Sequence, residues 1–263
     1  MIKRDELIDF IHNKIIGKDL LEKAQTIDTR ANGVQIHGSE KVDKVAIGVS
    51  ANMDFLSEAV DSKAQFCIFH HGIGLSDSDI YNSRLNRATQ SQLKHIFNNN
   101  LTITGYHYSL DVHPKIGNNA IIIKSLGATK TDETYSQGWG WVGEFKTPQD
   151  VAKLAQKCSE LFEHDIFAVY SGPKKIKRIG VCSGGAKPRG EEVFEILEKN
   201  IDLHISGEIA EPGPALAKEN GFNYFSCGHY ATEVFGVQAL GKKIKDHFKN
   251  KVEVEFIDIS NPL

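Results

Sequence analysis

No stretch of this chain approaches the ~20 consecutive apolar residues that a bilayer-spanning helix needs, so helical membrane insertion is excluded at the outset. Cysteine is scarce as well: Cys67, Cys158, Cys182 and Cys227 are widely spaced, and no CxxC pair occurs. A disulfide framework or a cysteine-based zinc site would need closer spacing, and a reducing cytoplasm is the expected setting. The opening MIKRDELIDFIHNKI mixes acids, bases and apolar residues at helical spacing, so no signal peptide is expected. An excess of one charge is missing too, with 31 basic residues against 34 acidic ones and a net charge of -3. No overall field draws such a chain to phosphate backbones. The local basic runs, GPKKIKR at 172–178 and GKKIKDHFKNK at 241–251, read as solvated faces. In the second run the lysines face water around Ile244 and Phe248 of a helix. Signature loops are also absent. No GxGxxG follows a strand, and no G-x-S-x-G elbow supports serine-nucleophile chemistry. CSGGAKPRG at 182–190 lacks the Walker spacing and reads as a plain loop, with a phosphate cradle as the alternative.

What the chain does have is enough apolar residue, 40% of 263, for one large domain or two modest ones without disulfide support. It also repeats itself loosely. KVDKVAIGVSANMDFLSEAVDSKAQFCIFHHG at 41–72 and KKIKRIGVCSGGAKPRGEEVFEILEKNIDLHISGE at 174–208 both run from a basic lead-in through a β-branched strand, a small-residue loop and an amphipathic helix into a second apolar strand. Strand, helix and strand at these lengths predict a right-handed crossover unit with a parallel sheet. The likeness continues through LKHIFNNNLTITGYHYSLD at 93–111 and LAKENGFNYFSCGHYATE at 216–233, which both end in H-Y-x-x-D/E. The fold class expected is therefore α/β, with two similar lobes from an internal duplication. The boundary is placed near Gly127, giving a first lobe of residues 1–126, completed by the C-terminal segment, and a second of 127–263. Thr147-Pro148 is expected to begin a helix, as N-cap and first helical residue.

In α/β sheets, chemistry gathers where strands end. His70 and His71 close one predicted strand, Asp111 follows a second, Glu208 closes a third, and His229 with Glu233 follows a fourth. Adjacent residues on a strand point opposite ways, so His70 and His71 are expected to serve two ions instead of one. GHYATEVFGVQALGKKI reads as a helix, which stacks His229 and Glu233 one turn apart on a face continued by Val237 and Leu240. A carboxylate at the edge of a core requires a partner or a cation. The residues also admit a plainer reading, in which Glu233 is a first-turn acid satisfied by the helix dipole and His229 lies at the surface. As a metal centre, the set suits Zn, Fe, Mn, Co or Ni, and two such ions activate water as a nucleophile. His107 and Glu208 are candidates to orient a ligand or relay a proton; a core histidine bonded to backbone is the alternative for His107.

IFHHG at 68–72 with its leading strand, GYHYSLDVHPKIGNN at 105–119, SGE at 206–208, GHYATE at 228–233 and the ending VEVEFIDISNPL at 252–263 resemble the Nif-three-like dinuclear metal-centre family, also catalogued as GTP cyclohydrolase type-two homologues. The resemblance covers nearly the whole chain. It implies two interlocked, similar α/β lobes with a metal pair in the cleft between them, and a toroidal homohexamer built from dimers. It further implies two divalent ions per subunit, with His70 and Asp111 mainly on one, His71 and His229 on the other, and Glu233 bridging. The family often has proline after the two histidines, and Gly72 in its place predicts a looser loop. The activity implied is metal-dependent hydrolysis of a nucleotide or related heterocycle, such as opening of the guanine ring of GTP. The alternatives are a non-enzymatic metal-handling, regulatory or nucleic-acid-binding ring, and metals that serve structure alone.

Overall fold

A computed structural model describes residues 1–74 and 85–262; Leu263, the last residue of the ending quoted above, lies outside the described residues. The chain divides into two compact units, Met1–Leu110 with Gly236–Ser260, and Asp111–Phe235 with the terminal residues from Asn261. Both are α/β, and each is built on a mixed sheet.

The first unit's main sheet has five strands in the order Glu253–Phe256, Lys44–Ser50, Phe66–His71, Thr102–Tyr106 and Asn32–Ile36. The first four run parallel and the last antiparallel. Lys44–Ser50 and Phe66–His71 are buried almost throughout, which is why they read as continuous apolar runs: parallel strands are covered on both faces. The helix between them, Met53–Asp61, starts where the Asn52 side chain accepts a hydrogen bond from the Phe55 backbone N–H at 2.9 Å. It buries Phe55, Leu56 and Ala59, and the Phe55 and Phe69 rings meet edge to face at 4.5 Å between centroids. Each such large apolar side chain, fully buried, contributes about 1.5–3 kcal/mol.

In the second unit six strands run in the order Thr129–Tyr135, Gly140–Asp150, Lys175–Val181, Leu203–Ser206, Asn223–Ser226 and Phe167–Val169. The strands from Lys175, Leu203 and Asn223 are mutually parallel, joined through the helices Gly190–Glu198 and Gly213–Asn220. The strand and helix order of the first unit's parallel core is thus repeated. The units part at Asp111, not near Gly127, because the helix Asn118–Ser125 buries Ile122 and Ile123 in the second unit's core beside Val181, Leu203 and Phe225.

Thr147 and Pro148 do not begin a helix. They lie in the strand Gly140–Asp150, and Asp150 caps the helix Val151–Phe162 by accepting from the backbone N–H groups of Ala152 and Lys153. Pro148 falls where the register against Lys175–Val181 shifts, one of the few sheet positions that tolerates a missing N–H. The basic run at 172–178 is taken up by neighbouring acids: Lys177 pairs with Glu144 at 2.9 Å and Arg178 with Glu133 at 2.7 Å. In the run at 241–251 Ile244 and Phe248 are buried while the lysines are exposed. No helix among the described residues is long and apolar enough to cross a membrane.

Candidate metal centre

In the first unit the strand Phe66–His71 carries His70 to its end fully buried and His71 half-buried. Alternation along a strand predicts that the two rings diverge, yet their centroids are 4.7 Å apart. His107, the first residue after the strand Thr102–Tyr106, joins them, with its ring 4.8 Å from that of His70 and 5.3 Å from that of His71. One ring nitrogen from each of the three lies within 4.8 Å of the others, an arrangement that suits a metal ion.

The partners on the far side of each ring decide which nitrogen is presented. His70 Nδ1 donates to the Tyr106 carbonyl at 3.2 Å, and His107 Nδ1 donates to Asp28 Oδ2 at 2.8 Å. Carbonyl and carboxylate oxygens only accept, so in the neutral rings Nε2 keeps the lone pair. His71 Nδ1 lies 3.1 Å from the Ser50 hydroxyl, across the parallel pairing of those two residues. Metal-binding histidines are characteristically held in this way from behind. Asp28, which was not singled out from sequence, follows the last residue of the helix Lys18–Ile27. Burial pushes its carboxyl up, but the hydrogen bond and charge of His107, with N–H groups from Arg30 and Asn32, bring it down to about 2. Residues 75–84 of the loop that follows Gly72 lie outside the described residues, but Gly72 itself is closely held. A side chain there would meet Gln35 Oε1 at 2.0 Å, and Gln35 grips Ile73 through both its N–H, at 2.8 Å, and its carbonyl, at 2.9 Å.

The second unit gathers the acids. Asp111 sits in the short helix Tyr108–Val112, 5% exposed, and its Oδ1 accepts from the Ser183 hydroxyl at 2.7 Å and from Asn118 Nδ2 at 3.0 Å. Glu233, 2% exposed, is on the helix His229–Phe248, and one of its oxygens lies within 4.8 Å of one of Asp111's. The expected i, i+4 geometry is present, with His229 Nε2 3.2 Å from Glu233 Oε1. His229 Nδ1 meets Glu208 Oε1 at 2.6 Å, and Lys187 pairs with the other Glu208 oxygen. Glu233 raises the His229 imidazole against the pull of burial, and with Glu208 brings it to about 9. Lys187 and His229 together hold the Glu208 carboxyl below its ordinary range.

Gly184, part of the loop CSGGAKPRG, has φ +63°, and a Cβ there would stand 2.1 Å from Glu233 Oε1 and 3.2 Å from His229 Nε2. Backbone without a side chain is what lets this loop close over the carboxylate. Two buried carboxylates this close repel unless a cation or proton lies between them. Imidazoles and carboxylates clustered in this way could hold a metal ion.

Residues 3–262 match the family described as Duf34/NIF3 (NGG1p interacting factor 3). The chain belongs to this family. It is 35% identical over 256 residues, 97% of this chain and 99% of the relative, to the GTP cyclohydrolase 1 type 2 homolog of Buchnera aphidicola subsp. Schizaphis graminum. The Haemophilus influenzae protein of the same name is 31% identical over 89% of this chain and 92% of its own. Among solved structures, ybgI, a structural-genomics protein of unknown function, superposes with TM-score 0.85 at 29% identity, covering 100% of both chains. TTHA1606 from Thermus thermophilus shares the fold with TM-score 0.80 at 24% identity over 100% of both chains.

Proposed function

We propose that His70, His71, Asp111, His229 and Glu233 hold two divalent ions, with Glu233 shared, and that the protein is a metal-dependent hydrolase acting on a nucleotide or related heterocycle. The observation that carries the reading is the close pair of buried carboxylates, Asp111 and Glu233, with His229 on one of them. A structural role for two such acids in an apolar setting would cost several kcal/mol without a cation. The name GTP cyclohydrolase 1 type 2 homolog that these relatives carry supports the nucleotide class and ring-opening chemistry.

A pair of divalent ions supplies Lewis acidity and brings the pKa of water toward neutrality. The protein's own residues do the rest. Glu208 fixes the His229 tautomer through Nδ1, so that Nε2 is the ligating end. Ser183 and Asn118 grip Asp111 through Oδ1 and so set the orientation of its carboxylate. Lys187, held beside Glu208, is a cation within reach of an anionic substrate group, and it ties the CSGGAKPRG loop to the centre.

The test is turnover of GTP and of damaged nucleotides by the purified metal-loaded protein, beside its metal-stripped form and Glu233→Ala. The proposal expects loss of turnover in both comparisons. Equal turnover by Glu233→Ala at matched folding would sink it. The assembly is proposed to be a homohexamer, to be read by light scattering, where a monomer at micromolar concentration would refute it. A cytoplasmic setting accords with four buried free cysteines.

A further inference from the structure

We infer that His204 is a positioning residue: from inside the second unit's core it holds the CSGGAKPRG loop by the Ala186 carbonyl, and so sets where Lys187 meets Glu208. The inference rests on the reading above for the use made of Lys187. Its geometry lies wholly within the second unit and involves none of the five proposed ligands.

The register of the sheet makes the arrangement. Gly180, His204 and Tyr224 stand opposite one another on three neighbouring parallel strands, so they share one face. Gly180 brings no side chain, and Tyr135 takes the space: a Cβ at Gly180 would lie 2.9 Å from the Tyr135 hydroxyl. That hydroxyl is 3.1 Å from His204 Nδ1, and His204 Nε2 is 2.9 Å from the Ala186 carbonyl. His204, Tyr135 and Tyr224 are all fully buried.

Only one arrangement of protons satisfies these contacts. Burial, set against the bond to Ala186, lowers the imidazole to about 4, so near neutral pH the ring carries a single N–H. A carbonyl only accepts, which puts that N–H on Nε2 and leaves Nδ1 to accept from the Tyr135 hydroxyl. The ring is thereby fixed in both tautomer and orientation. Beside it, Tyr224 donates to the Glu208 carbonyl, and the Ser206 hydroxyl donates to the same oxygen at 3.0 Å. The core thus grips the main chain at two places, one residue before Lys187 and at Glu208 itself, whose side chains form the ion pair. A packing role alone needs no imidazole here, since a polar ring is costly to bury without bonds to make.

The test is the acylation rate of the Lys187 amine in the full-length protein as purified. It is read by mass spectrometry after exposure to an N-hydroxysuccinimide ester and normalised to Lys243, which is exposed on the helix His229–Phe248. An asparagine amide stands where Nδ1 stood, keeps Tyr135 and falls short of Ala186, whereas a glutamine amide reaches the place of Nε2. His204→Asn is expected to raise the Lys187 rate by about tenfold, the weight of one buried hydrogen bond on a loop-opening equilibrium. His204→Gln is expected to stay within about twofold of the wild type. If the asparagine variant does not fold, Tyr135→Phe takes its place; the ring then loses its fixed orientation, and a rise of about threefold is expected. A wild-type rate in the folded asparagine variant, or in Tyr135→Phe where that replaces it, would overturn the inference, as would equal rises in the asparagine and glutamine variants. The comparison needs neither metal nor substrate, so a wild-type protein without turnover would overturn the proposed function and leave the labelling rates to decide this inference.

Discussion

The two units present opposite chemistries at the ends of similarly ordered strands. The first offers imidazoles, His70, His71 and His107, braced from behind by a carbonyl, a hydroxyl and a carboxylate. The second offers buried acids, Asp111 and Glu233, with His229 between Glu233 and Glu208. Neutral nitrogen ligands cost little to bury and need only the right tautomer, so the first unit invests in hydrogen bonds at Nδ1. Buried carboxylates are costly without a neighbouring cation or proton, so the second unit's cluster is the one whose energetics would respond most to a bound metal.

The sharpest way to break this contrast is Asp111→Asn. The amide oxygen can still accept from Ser183 and Asn118, but one of two neighbouring charges is gone. Divalent-metal affinity is expected to fall by roughly a hundredfold or more, while the melting temperature of the metal-free protein stays level or rises. A large fall in metal-free stability would show that the carboxylate serves packing instead. Next in size is Gly184→Ala, whose new methyl group collides with Glu233 Oε1. It should cost about 1–3 kcal/mol in urea unfolding and weaken metal binding as well, because the residue also has positive φ.

His204 sharpens the comparison from the structural side. Burial, set only partly against its bond to the Ala186 carbonyl, lowers its imidazole from 6.5 to about 4. The unfolded chain takes up a proton near pH 6.5 and the folded one only near pH 4, so stability is whole above that window, falls as pH drops through it and levels off below. The fall is expected to reach about 3 kcal/mol. Urea midpoints of the wild type and His204→Gln across roughly pH 7 to 4 should converge toward acid pH; parallel curves would refute the assignment. The smallest effect is expected from Ser50→Ala, which removes the hydroxyl behind His71: a loss of metal affinity of less than about tenfold, with stability changed by under about 1 kcal/mol.

Much of this was legible before folding. Strand and helix lengths predicted both crossover units, and four strand ends carried ligand-type residues. The helical spacing of His229 and Glu233, with Val237 and Leu240 buried further along, held in detail. Other features were not legible, for reasons that concern distance along the chain. Asp28 and His107 are 79 residues apart, and Ser183 and Asp111 are 72. The Thr147-Pro148 pair imitates a helix start by local chemistry, and the strand that pairs with Lys175–Val181 on either side of it, at Glu144 and at Gln149, overrides it. For His70 and His71 alternation says where the side chains leave the backbone, whereas ring positions at a strand's last residues also depend on χ angles and neighbours.

By itself, then, the sequence determined the α/β class, the order of elements and the kinds of ligand atom available, since these follow from periodicity and residue type. Tertiary structure alone decided which nitrogen of each histidine keeps its lone pair, which glycine makes room for a carboxylate and where one unit gives way to the other. Those depend on partners that meet only when the chain has folded.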